Sequence, residues 1–467
     1  WADRALARLR ELGVRPILGL LHHGLGPRWV DARAPEFAGH FARYARMVAE
    51  RYPWVDAYTP VNEPLTTARF SGLYGHWYPH ARDDATFVRL LLSQLSATAQ
   101  AISAIREINP AAQLIQTEDL GKVASTPPLE SQRDFENERR WLTWDILSGA
   151  LTPAHACWSY LLDAGSSARE LAAFGEAPCM PSVIGINRYI TSERFLDERV
   201  ERYALDEIGG NGREVYADVA QVQVPGLRRA GIGTLLRETW ERYRTPIAIT
   251  ECHLGCTREE QMRWLDELWR ASTDARRDAV DVRAVTSWAL LGSYDWNSLV
   301  TRETDHYEAG AFDARGPVPR ATALARMVHV LATQGEYEHP VLETPGWWHR
   351  KGPPSAQRPI LLGVLEEPAV SAMLAACESR GLSCVSLGAE LDSASRPSAE
   401  RALDSHDPWA VIDASEDPAA LVEECARRGI SFVSCAPDST DAHALLDQLL
   451  DDECGAIDAS RLDAAVA

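Results

Sequence analysis

The sequence predicts an α/β architecture: a parallel barrel of the (β/α)8 TIM type, followed by a smaller α/β unit. Three observations predict it. Strand-like apolar runs alternate with amphipathic helical stretches through most of the chain, which is the signature of a parallel sheet. Two of those runs, Thr59-Pro60-Val61-Asn62-Glu63-Pro64 and Ile247-Ala248-Ile249-Thr250-Glu251, end in a glutamate. The C-terminal end of a strand is where such a barrel keeps its chemistry. The length, 467 residues, also exceeds one ordinary domain.

In chain order, the predicted strands are Val14–Leu21, Asp56–Val61, Gln113–Thr117, Ser182–Asn187, Pro246–Thr250 and Val282–Leu290. Each is a short apolar run bounded by polar or turn residues. Helical periodicity predicts Pro35–Arg51, Thr86–Ile108, Gly233–Tyr243 and Arg320–Gln334. The first domain is read as residues 1–345. A linker is read at 346–358, around Gly352-Pro353-Pro354-Ser355. Residues 359–467 then form a small doubly wound unit, with strands near 358–364, 383–387, 409–413 and 430–434 and helices near 371–380 and 421–428.

Composition narrows the function classes. A net charge of −20 argues against nucleic acid and anionic membrane surfaces as partners. No apolar run reaches the ~18 residues that a membrane span needs. The nine cysteines show no paired framework, which predicts a reducing, cytoplasmic setting. Cys252 and Cys256 flank His253, but one Cys-x-x-x-Cys without a second pair is too little for zinc, so no metal is expected. The 15 tryptophans suit stacking on sugar rings, although core packing is the commoner use of any one of them.

Two carboxylates facing each other across a sugar are the minimum equipment for glycoside hydrolysis. Alone, Asn62-Glu63-Pro64 reads as a turn; paired with a second strand-end glutamate it reads as chemistry. The first domain resembles family 1 glycoside hydrolases of the retaining β-glucosidase type. The resemblance rests on Asn62-Glu63-Pro64, on Ile249-Thr250-Glu251, on His23-Gly24-Leu25-Gly26-Pro27, on Asn187-Arg188-Tyr189 and on the segment from Trp288 to Trp296. It implies Glu63 as acid/base and Glu251 as nucleophile, with Tyr189 donating a hydrogen bond to Glu251. It also implies His23, Asn62, Asn187, Trp288, Asp295 and Trp296 as sugar-binding residues, Asn62 at the 2-hydroxyl and Trp288 beneath the ring. The substrate would be a small carbohydrate or glycoside, with no cofactor. His22 reads as packing, Glu118 and Asp119 as helix-entry or rim residues, and Tyr74, His76 and Trp77 as pocket wall or surface loop.

Three features depart from the family. Asp295 stands where the family has a glutamate, and Cys252-His253 follow Glu251 in place of Asn-Gly. If the last strand run is the eighth, the first two strands of the barrel are missing, and with them a sugar-binding Gln and an Arg near the nucleophile. An open barrel is then expected to aggregate readily and to hydrolyse little.

Residues 358–467 resemble parts of a dTDP-4-dehydrorhamnose reductase, through Ile360–Gly363, Gly388-Ala389-Glu390-Leu391-Asp392 and Ser434-Cys435-Ala436-Pro437-Asp438. That family's Tyr-x-x-x-Lys pair is absent, since no lysine follows Lys351 and no tyrosine follows Tyr337. Of the glycine-rich loop only Gly363 remains, so no NADP is expected. The alternatives to a glycosidase are a non-catalytic carbohydrate-binding protein and a sugar-nucleotide reductase. Intact Glu63 and Glu251 disfavour the first, and the missing Tyr–Lys pair the second.

Overall fold

The computed structural model describes residues 1–24, 30–224, 226–350 and 358–452. By packing, the chain divides into two compact units. The first comprises residues 1–252 and 269–286, and the second comprises 253–268 and 287–467. Part of the region read as the end of the barrel domain therefore groups with the small C-terminal sheet.

The first unit is built on parallel strands. In chain order its strands are β1 (Leu18–His22), β2 (Ala57–Asn62), β3 (Gln113–Asp119), β4 (Val123–Ser125) and β5 (Val183–Arg188). They continue as β6 (Arg194–Asp197), β7 (Ile208–Gly210), β8 (Val215–Ala220), β9 (Ile247–Cys252) and β10 (Val282–Ser287). The main sheet runs β1-β2-β3-β5-β9-β10, so the six predicted strands are its six members. Every residue of β2 is buried, whereas β1 and β10, at the ends of the sheet, are partly exposed. The fold is α/β with a mostly parallel main sheet.

Two helices cover β2 and β3. They are α1 (Phe37–Arg51) and α2 (Asp84–Ile108). Asp83 starts α2 by accepting a 2.7 Å bond from the Thr86 amide, which satisfies one of the open donors of the first turn. Phe37, Phe41, Leu91 and Leu95 from these helices pack with Tyr58 and Val61 of the sheet. That buried face anchors the strands whose C-terminal ends carry the candidate site.

Boundaries differ from the sequence reading where local chemistry overrides apolar runs. The last strand ends at Ser287 rather than Leu290. The helix expected from Arg320 starts at Ala323, because Arg320–Ala321 pairs as a strand with Phe312–Asp313. A second sheet, β4-β6-β8-β7, was not anticipated; its strands lack a long apolar run.

The second unit contains a four-stranded parallel sheet. Its order is Cys384–Ser386, Ile360–Leu362, Ala410–Asp413 and Ser431–Ser434, with the third strand in sequence beside the first. Helices at Arg396–His406 and Ala442–Asp452 were missed. Residues 346–350 are tied down instead of forming free linker: the Trp347 amide donates to Glu260 at 3.1 Å and the Trp348 indole to Glu267 at 2.7 Å. The rest of the expected linker before Arg358, together with Leu25-Gly26-Pro27 of the His23 motif, lies outside the described residues. Among the described residues no helix is long and apolar enough to cross a membrane.

Candidate active site

Parallel pairing brings strand-end residues into register. His22 pairs with Asn62, Asp119 with Asn187, and Asn187 with Glu251. A register shift between Ile186 and Asn187 sets that last pairing. Gly185 in β5 makes room for the two side chains behind it. A Cβ there would lie 2.7 Å from Thr117 Cγ2 and 2.8 Å from Thr250 Oγ1.

Glu63 follows β2 directly and is buried. Its backbone is left-handed, with φ 46° and ψ 60°, a conformation that non-glycine residues adopt only when their surroundings hold it. Pro64 then opens α3 (Pro64–Ala68) at a first-turn position where its missing N–H costs nothing.

Asn187, fully buried, links the two glutamates. Its Nδ2 donates to Glu63 Oε1 at 2.5 Å and to Asn62 Oδ1 at 3.3 Å, and its Oδ1 accepts from Thr250 Oγ1 at 2.7 Å. It also favours the ionised form of Glu251. The Tyr189 hydroxyl donates to Glu251 Oε2. Asn62 Oδ1 accepts from Thr117 Oγ1 at 2.7 Å, while its buried Nδ2 has no partner among the described residues.

Electrostatics separate the two carboxyls. Burial pushes Glu63 well above the ordinary 4.5, and the charges of Glu251, Asp119 and Glu118 push it the same way, against the Asn187 hydrogen bond. Burial raises Glu251 to about 7, with Asp119 adding to the rise and the bonds from Tyr189 and Asn187 opposing it. Glu251 is thus the better-solvated anion of the pair in hydrogen-bond terms, and Glu63 is the better proton carrier. Burial and the Glu251 charge also hold the Tyr189 phenol well above its usual range, so it remains a donor.

Raised carboxyl values in the folded chain mean that folding takes up protons. Stability from these two groups is therefore complete below their ordinary 4.5 and is lost as the pH rises through the folded values, about 7 for Glu251. Glu63→Gln and Glu251→Gln are expected to melt close to wild type near pH 4 and several degrees above it near pH 8. Scanning calorimetry at the two pH values checks this; equal differences at both would contradict it.

The remaining predicted residues divide between the two units. His23, at φ 58°, lies within 3.9 Å of Glu63 Oε2 through Nε2, and its Nδ1 is 3.4 Å from Thr67 Oγ1. Burial, then the neighbouring His22, lowers its pKa to about 3, so it faces Glu63 as a neutral ring. Trp77 packs on it, with ring centroids 5.1 Å apart. Trp288 and Trp296 belong to the second unit and pack edge to face at 6.0 Å; Trp288 also packs against His253. Asp295 serves its own loop: Oδ1 accepts from the Thr304 amide, the Thr304 hydroxyl and the His306 amide. Those bonds lower its pKa and engage an oxygen expected to meet a sugar hydroxyl.

Several site residues escaped the sequence reading. Thr117 and Thr250 orient Asn62 and Asn187. Ser192 donates to Asp119 and accepts from the Tyr189 amide at 3.0 Å. Asp119 and Glu118 had a visible signal, since they too end a strand run, but no motif claimed them.

The family model described as glycosyl hydrolase family 1 matches residues 1–303. Among solved structures, a β-glucosidase from Thermotoga maritima in complex with deoxynojirimycin is similar at 16% identity, with a TM-score of 0.57 over 72% of this chain and 78% of that one. A family 1 β-glucosidase from the same organism, at 16% identity and the same coverage, has a TM-score of 0.56. The galacto-hydroximolactam complex of that organism's β-glucosidase gives 0.58. At this identity the likeness is one of fold.

Proposed function

Since the chain belongs to glycosyl hydrolase family 1 and its chemistry is accordingly glycoside hydrolysis, we propose that it cleaves β-glycosides with retention, using Glu251 as nucleophile and Glu63 as acid/base. The observation that carries the reading is Asn187, one buried amide acting on both glutamates, at the ends of adjacent and near-adjacent strands. A single amide serving both carboxyls favours the short separation of double displacement, about 5–5.5 Å, over the ~6.5–9.5 Å that leaves room for an inverting water.

In the first step a Glu251 oxygen bonds to the anomeric carbon as the glycosidic C–O bond breaks, and the Glu63 proton passes to the departing oxygen. In the second, the Glu63 carboxylate takes a proton from water. That water's oxygen attacks the anomeric carbon, and the ester to Glu251 breaks. Tyr189 and Asn187 stabilise the Glu251 anion before and after the covalent stage. The Nδ2 of Asn62, without a partner among the described residues, is a donor available to the 2-hydroxyl. His23, beside Glu63, is a further proposed sugar contact of the first unit.

Residues 359–467 are proposed as a degenerate Rossmann-like domain, similar to the sugar-nucleotide reductases, that holds no dinucleotide. In an open parallel sheet a ligand binds where the strand order reverses, here between Ile360–Leu362 and Ala410–Asp413. The buried Asp413 occupies that crevice: its Oδ1 accepts from the Val364 amide at 2.9 Å. A Cβ on Gly363 would meet the same oxygen at 2.0 Å. The backbone donor that a pyrophosphate would use is spent on an internal carboxylate.

A panel of 4-nitrophenyl β-glycosides tests the function. Slow release of nitrophenol from at least one β-glycoside is expected, in keeping with the open barrel read from the sequence, falling to background in Glu251→Ala. Hydrolysis confined to α-glycosides, or unchanged in that variant, would overturn the assignment.

A further inference from the structure

Glu118 ends β3 and is completely buried. Its Oε2 accepts from the Leu65 amide at 2.8 Å and the Thr143 hydroxyl at 2.8 Å. Its Oε1 accepts from the Thr66 amide at 3.1 Å, the Thr66 hydroxyl at 2.7 Å and the Asp119 amide at 3.3 Å. Three of these five partners are backbone N–H groups, which only donate, so the carboxyl serves them as an acceptor through both oxygens. Leu65 and Thr66 form the first turn of α3, directly after the left-handed Glu63. The carboxylate thus clamps the turn that aims Glu63, from the side of the neighbouring strand.

We propose that Glu118 is a positioning residue for the acid/base step, holding the Glu63 turn in its left-handed form and, when ionised, placing a negative charge behind the Glu63 proton. The inference rests on the reading of Glu63 as acid/base. The groups facing Glu63 are Glu251 from β9, Asp119 and Glu118 from β3, Asn187 and Tyr189 from β5 and its end, and the neutral His23 after β1. Each of the three carboxylates raises the affinity of Glu63 for its proton. Glu118 differs from the other two in also bonding the backbone that carries Glu63. The Glu118 carboxyl lies above its ordinary 4.5, because burial outweighs the Thr66, Leu65 and Thr143 bonds and the Arg69 charge that lower it.

The test is Glu118→Gln, which removes the charge and sets an amide donor against the donors of the α3 turn. Leaving-group dependence reads the acid step, because a 2,4-dinitrophenyl glycoside departs without protonation and a methyl or phenyl glycoside does not. The expected result is a loss of roughly 100-fold in kcat/KM on the phenyl glycoside and under about 3-fold on the dinitrophenyl glycoside. The alkaline limb of the phenyl-glycoside pH profile is expected to move to lower pH, since one negative charge near Glu63 is gone. Equal losses on the two substrates, or an unmoved alkaline limb, would overturn the inference and leave the glycosidase reading intact. A wild type inactive on both substrates would overturn both. If circular dichroism shows Glu118→Gln to be unfolded, Thr143→Val takes its place. It frees one oxygen of the clamp and should show the same selectivity at about 3- to 10-fold; no selectivity there would also overturn the inference.

Discussion

Glu251→Ala is expected to lower turnover of a β-glycoside by roughly 10^6-fold, the scale seen when a covalent nucleophile is removed. Nothing else in the described site can replace it. Asp119 is bound to Ser192, Glu118 is locked under α3, and Glu63, held well above the ordinary carboxyl range, is the proposed acid. Sodium azide distinguishes the two glutamates. In Glu251→Ala the small anion fits the space left by the carboxylate, attacks from that face, and yields the α-glycosyl azide. In Glu63→Ala an activated glycoside still forms the ester with Glu251, and azide then resolves it to the β-glycosyl azide. Loss of the acid alone is expected to cost about 10^2- to 10^4-fold on unactivated substrates. Product azides identified by NMR check the assignment. The opposite pairing of variant and anomer would exchange the roles.

Asn187→Ala is expected to carry the next largest effect. The side chain holds Glu63 at 2.5 Å, Asn62 at 3.3 Å and Thr250 at 2.7 Å, and it favours the Glu251 anion. A hydrogen bond to a charged group contributes about 1.5–3 kcal/mol, and removing the amide also leaves buried partners unsatisfied. With both carboxyls affected, a fall in kcat of about 10^2- to 10^3-fold is expected, with KM changed far less. The acid limb of the pH profile should move to higher pH, because Glu251 loses a bond that favours its ionised form. Steady-state kinetics over pH measure both. A large rise in KM with unchanged kcat would show Asn187 to be a sugar ligand alone.

The main sheet was legible because its strands are apolar runs between helices of clear period, and β2 and β9 carry their glutamates at the end where chemistry collects. The pairing that makes a site of them was not legible. Asn187 meets Glu251 through a register shift after Ile186, a feature of sheet geometry with no mark in local composition. Glu118 was visible as a strand-end carboxylate. Its partners, Leu65, Thr66 and Thr143, come from α3 and a later helix, so its work could be read only once those elements were packed. Asp295 shows the opposite case, in which a motif position expected to serve substrate is bound to Thr304 and His306 of its own loop. The β4-β6-β8-β7 sheet was missed because its short strands alternate with polar residues and turns.

The central claim is double displacement at Glu63 and Glu251, and the anomeric configuration of the first sugar released tests it most directly. Proton NMR of a 4-nitrophenyl β-glycoside mixed with the enzyme, recorded before mutarotation, should show the β-anomer appearing first and the α-anomer rising only as mutarotation proceeds. An α-anomer as the first product would establish single displacement by water and contradict the nucleophilic role of Glu251.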